Sequence, residues 1–113
     1  MRAFVKTLMI SAICASFPFV AHADQYSSYA PIEAVTVGST GVIYVYPLGA
    51  TVVNPAGCTT ATRYTLHPDH PAFKEIYAML LAALTTGSNI RFEISGTECN
   101  GGSPKLKLAT MKP

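Results

Sequence analysis

The residue types that could do chemistry lie close together at one place in this chain, His67, Asp69 and His70 (HPDH). Two histidines at H-x-x-H spacing, with a carboxylate between them, could supply two or three ligands to a metal ion. A metal centre needs a defined geometry and usually a further ligand, and the other acidic residues are scattered along β-prone stretches. The competing reading is a proline-rich helix entrance in which Asp69 or His70 caps backbone N–H groups. Acid–base work would have to be drawn from Glu75, Glu93 and Glu98. Glu75 reads as helical, and Glu93 sits beside Arg91, where a surface ion pair accounts for it. Serines and threonines are plentiful, but no nucleophile elbow and no serine–histidine–aspartate arrangement accompanies them. No glycine loop precedes a helix to cradle phosphate, and no cofactor motif is present. The residues therefore point to a non-catalytic protein with neither metal nor cofactor.

Six tyrosines (Tyr26, Tyr29, Tyr44, Tyr46, Tyr64 and Tyr77) and no tryptophan are the remaining chemical feature. An exposed tyrosine offers a flat apolar body and a hydroxyl, which suits a sugar ring or a peptide edge. A buried one is simply core with its hydroxyl at the rim. No tyrosine can be assigned to a glycan from its position in the sequence.

These residues must be positioned by short elements around one helix. Pro71 suits a first helical turn. Phe73, Ile76, Tyr77, Leu80, Leu81 and Leu84 then recur at helical spacing, and Thr85-Thr86-Gly87 closes the run with a left-handed C′ glycine. This stripe is expected to fill the core. The opposite face, Ala78, Met79, Ala82 and Ala83, carries no charge beyond Lys74 and Glu75, and a helix apolar all round is normally covered on both sides. Either the small alanines tolerate solvent, or this second face is an oligomer interface.

Ile32–Val37 and Val42–Tyr46 read as a hairpin through Gly38–Gly41. Ala50–Val53 and Thr59–Leu66 read as further short strands. Asn89–Ser95 alternates Ile90, Phe92 and Ile94 against Arg91 and Glu93, Gly96–Pro104 reads as a loop, and Lys105–Met111 as an edge strand whose lysines discourage pairing with other chains. Five or six strands with one helix make a mainly β (α+β) protein. A small OB-like barrel is the expected architecture, with an open-sheet α+β roll as the alternative.

Met1–Ala23 reads as an export signal. Arg2 and Lys6 precede a nearly continuous apolar run, and Ala21-His22-Ala23 supplies a small-x-small cleavage site before Asp24. The run is too short, and too interrupted by Pro18, for a membrane span. The remaining residues, 24–113, form one domain in which six basic residues balance six acidic ones. No basic stripe is left for nucleic acid or an anionic membrane. Cys14 leaves with the signal, so Cys58 and Cys99 are expected to form a disulfide in a secreted or periplasmic location.

The helix and the strand after it carry one resemblance. Phe73, Ile76-Tyr77, Leu81, Thr85-Thr86-Gly87 and Ile90-Arg91-Phe92 follow F-x-x-hydrophobic-Y and then T-T-G-x-x-hydrophobic-R-hydrophobic. This resembles the subtilase-cytotoxin B subunits and their relatives among AB5 toxin binding subunits, including the pertussis-like ones. The resemblance implies an OB-like barrel, a homo-oligomeric ring of five with the helix lining its centre, glycan recognition on the outer barrel face, and a secreted catalytic A subunit as partner. A stand-alone periplasmic domain that binds or inhibits another protein is the alternative function.

Overall fold

The computed structural model describes residues 23–113; the stretch expected to be an export signal lies, up to His22, outside the described residues. Six strands and one helix follow in chain order: β1 (Gln25–Tyr26), β2 (Ile32–Val37), β3 (Ile43–Pro47), β4 (Tyr64–Leu66), α1 (Phe73–Thr86), β5 (Asn89–Asn100) and β6 (Ser103–Lys112). They build a single mixed sheet in the order β1-β5-β6-β4-β3-β2. Neighbouring strands are antiparallel except β4 and β6, which run parallel with Thr65 opposite Lys105. The mainly β class with one helix is the one expected. The sheet is not closed into a barrel, because β1 and β2 are its outer strands.

The hairpin of β2 and β3 forms as its composition requires. Gly38 N–H donates to the Val42 carbonyl at 2.7 Å, and Gly41 takes φ 85° to complete the turn. Two other regions depart from expectation. Ala50–Val53 forms no strand. Its backbone is held by side chains instead: Val53 N–H donates to the Tyr64 hydroxyl at 2.8 Å, and Asn54 exchanges two hydrogen bonds with the Cys58 backbone. The strand expected over Thr59–Leu66 shortens to Tyr64–Leu66, because Thr60 N–H is diverted to the Gly102 carbonyl.

The expected loop at Gly96–Pro104 is mostly strand. β5 and β6 extend into a long hairpin that turns at Gly101 and Gly102, both at positive φ. Register shifts between Glu93 and Cys99 let the pair bend rather than end. Cys58 and Cys99 are disulfide-bonded with their Cα atoms 5.8 Å apart, tying the irregular stretch before β4 to the end of β5.

α1 ends as its sequence demands, with Gly87 at φ 69° donating its N–H to the Ala83 carbonyl. Its start differs from expectation. Ala72 is the N-cap and has no side-chain cap; His70 instead accepts the Ala72 N–H through Nδ1. The buried face is also rotated from the one the apolar stripe predicts. Ile76, Leu80 and Ala83 are buried, whereas Leu81 and Leu84 are each 39 % exposed. The i, i+4, i+7 line through Ile76, Leu80 and Ala83 faces the sheet, and the absence of a long side chain at Ala83 lets the helix approach closely. Leu84 lies about 40° and Leu81 about 100° round the axis from Leu80, the edge of that line nearest to them, so both turn toward solvent despite their size. The core below joins these residues to Ile43, Val45, Tyr64, Leu66, Ile90, Phe92, Ile94 and Leu106, with the Tyr64 and Phe92 rings tilted against each other at 5.4 Å.

Candidate functional site

His67, which follows β4 directly, and Asn100, the last residue of β5, stand in the shared wall of two cavities. One, of about 430 Å³, is bordered by His67, Asp69, His70, Pro71, Asn100 and β6 from Lys105 to Lys107. The other, of about 330 Å³, is bordered by Thr40, Val42, Tyr44, Thr65, His67 and the Cys99–Gly101 turn. The disulfide fixes this turn from behind, so the position of Asn100 rests on Cys58 and Cys99.

The histidines are placed by backbone hydrogen bonds. His70 Nδ1 accepts the Ala72 N–H at 3.0 Å, so its neutral ring carries the proton on Nε2, which donates to the Lys107 carbonyl. His67 Nδ1 accepts the Asp69 N–H at 3.1 Å and lies 3.3 Å from the Asp69 carboxylate. The H-x-x-H pair thus holds the helix entrance, which is the competing reading of the cluster, and Asp69 serves the same local turn.

Two polar atoms in these walls have no partner within the described residues: Asn100 Nδ2 and Thr65 Oγ1, both buried. A buried donor or acceptor left unmade costs about 1–3 kcal/mol. Thr40, Tyr44 and His67 border the same cavities, with the Arg63 guanidinium lying over the Tyr44 ring. The lysines of the larger cavity are engaged elsewhere. Lys105 pairs with Glu98 and Lys107 with Asp24, whose carboxylate also accepts the Gly96 N–H. These contacts hold the Glu98 and Asp24 carboxyls below their ordinary pKa and raise that of Lys107.

The tyrosines divide. Tyr64 is fully buried, its hydroxyl accepting from Val53, and burial raises its pKa, so it is a core strut. Tyr77 stacks on Phe73 along α1. Tyr44 carries the Arg63 guanidinium 3.9 Å from its ring centroid, and Arg63 also reaches Tyr46 and Ser103. Tyr26 and Tyr29 flank Arg91. Glu93, expected to pair with Arg91, approaches Lys107 instead, at 4.0 Å. Of the four residues expected at an oligomer contact, Ala78 and Ala82 are exposed, Met79 is half-buried against the core and Ala83 is fully buried.

Asn100, Thr65 and Thr40 were not singled out from the sequence. Asn100 carried a faint signal, an amide between a cysteine and a Gly-Gly turn, while Thr65 lay hidden in a threonine-rich strand. No family model, curated protein or solved structure matches the chain.

Proposed function

We propose that this protein is a secreted or periplasmic, non-catalytic binding module that recognises glycans, as the resemblance to AB5 toxin B subunits implies. The observation that carries the reading is the cleft at His67 and Asn100. Sugars present hydroxyls in fixed directions and an apolar ring face, and the cavities are bordered by the polar side chains of Asn100, His67 and Thr40 beside the Tyr44 ring. A glycan array on the mature protein tests it, with Asn100→Ala as the control that keeps the fold and removes the amide.

The same proposal includes assembly into a homo-oligomer, five-membered by resemblance. Its support is the outer face of α1, where Leu81 and Leu84 are exposed beside the small Ala78 and Ala82. A second copy of the chain is the occupant that suits this face, since small residues permit close helix approach and the only charges are at the helix start. Met79 and Ala83 are then core residues, and the contact is carried by Ala78, Leu81, Ala82 and Leu84. Cleavage of an export signal before Asp24 fits an Asp24 carboxylate already tied to Gly96 and Lys107. A secreted catalytic A subunit remains the partner that the resemblance implies.

A further inference from the structure

The chain holds three asparagines, Asn54, Asn89 and Asn100, and the fold treats them differently. An asparagine is chemically labile when the backbone nitrogen of the next residue can reach its side-chain carbonyl carbon. Asn54 is followed by Pro55, which has no N–H, and both ends of its amide are hydrogen-bonded to the Cys58 backbone. Asn89 is followed by Ile90, whose branched side chain crowds the peptide nitrogen and whose N–H is committed to the Ala30 carbonyl at 2.9 Å.

Asn100 has neither protection. It precedes Gly101, which is exposed at the tip of the β5–β6 hairpin and has nothing within 4 Å of the place where a Cβ would stand. Among the described residues Gly101 N–H donates to no acceptor, and Asn100 Nδ2 has no hydrogen-bond partner. Burial of Nδ2 is no obstacle, because the attacking atom belongs to the adjacent residue and does not arrive from solvent. The disulfide at Cys99 and the Thr60–Gly102 hydrogen bond anchor the flanks of the tip, but not the Asn100–Gly101 peptide between them. Beyond the register irregularity between Ile94 and Cys99, only the pairs Cys99–Pro104 and Asn100–Ser103 close the hairpin. A brief local opening there lets Asn100 rotate out of its extended strand conformation and bring Cγ to the Gly101 nitrogen.

We propose that Asn100-Gly101 is a self-modification site, at which the neutral amide in the shared wall of the two cavities becomes a carboxylate. The Gly101 nitrogen loses its proton and bonds to Asn100 Cγ, closing a cyclic imide, while the Cγ–Nδ2 bond breaks and Nδ2 leaves as ammonia. Water then opens the imide at either carbonyl, giving aspartate or, where the chain now runs through Cγ, isoaspartate. One water is taken up for one ammonia released, with no change of oxidation state. The product adds a negative charge to a domain whose six basic and six acidic residues balance, and places it in a cavity that Lys105 also borders. The reaction does not depend on what the cleft binds, so it stands or fails apart from the glycan reading.

The experiment ages the folded, disulfide-bonded mature protein at mildly alkaline pH and follows each asparagine by peptide mass spectrometry. Isoaspartate is detected as a methyl acceptor for isoaspartyl methyltransferase. Asn100 should convert more than about tenfold faster than Asn54 or Asn89, giving both isoaspartate and aspartate, and an acidic band should grow on isoelectric focusing. Asn100→Gln, whose longer side chain would have to close a larger ring, should lose that band. The proposal is overturned if Asn100 is unchanged while an excised peptide of the same sequence converts, or if the three asparagines convert at equal rates. It is also overturned if aspartate forms without isoaspartate, or if the acidic band persists in Asn100→Gln. The wild-type time course decides by itself, so a variant that folds poorly leaves the result readable.

Discussion

Leu80 and Leu81 are neighbours in the sequence with the same side chain, and the orientation of α1 gives them opposite roles. Leu80 has no exposed surface, while Leu81 is 39 % exposed. Truncating Leu80 to alanine removes packed methyl groups and leaves a cavity, which costs about 2–5 kcal/mol. In a domain of this size a loss of about 3 kcal/mol lowers the melting temperature by roughly 12–24 °C. Leu81→Ala should cost under about 1 kcal/mol in the monomer, because much of that side chain is already in water. Leu81→Glu should change the monomer little and place a carboxylate in the helix–helix contact of the proposed ring. Denaturant unfolding at two protein concentrations, with sedimentation in parallel, separates the effects. Leu80→Ala should lower stability at both concentrations, and Leu81→Glu should abolish the concentration dependence. Equal losses for Leu80→Ala and Leu81→Ala would mean that the helix is not turned as described. A wild type that is monomeric at tens of micromolar would refute the ring.

Reducing the Cys58–Cys99 disulfide, or replacing both cysteines by serine, should lower stability by up to about 4 kcal/mol for the 41-residue separation, read from guanidinium unfolding with and without reductant. The Asp24–Lys107 pair should contribute on both sides of neutrality. Asp24 is held below its ordinary 3.8, so its contribution is present above that value and is lost as pH falls through the lower folded one. Lys107 is raised above 10.5, so its share is present below that value and lost as pH rises through the higher folded one. Asp24→Asn should therefore flatten the acid limb of a plot of unfolding midpoint against pH, while the wild type keeps it. Gly102→Ala should destabilise by more than about 1 kcal/mol, measured by thermal unfolding, since Gly102 is at φ 81° and an added Cβ would lie 2.7 Å from Thr59 Oγ1.

What could be read from the residues was what local physics decides. The Gly87 stop, the β2–β3 hairpin, the alternation at Ile90, Phe92 and Ile94, and the cysteine pairing all follow from backbone permissiveness, period or count. Tertiary geometry decided the rest. Ala83 was set aside as small and Leu81 taken for core as large, yet the helix turns on how closely it meets the sheet. Val53 looks like a strand residue, but the Tyr64 hydroxyl takes its N–H from far along the chain. Gly101-Gly102 signalled a turn without revealing that β5 and β6 would zip up to it. The cleft was the least legible feature, because Asn100 and Thr65 matter only through their isolation from other polar groups, which no spacing encodes.

The central claim is that the cleft at His67 and Asn100 binds glycans, and a glycan array with calorimetry on the strongest hit tests it most directly. Wild-type mature protein should retain oligosaccharides. Asn100→Ala should bind the hit about tenfold more weakly, the worth of one hydrogen bond to a buried amide, with its unfolding midpoint unchanged. No retained glycan, or a hit whose affinity survives Asn100→Ala, would contradict the account.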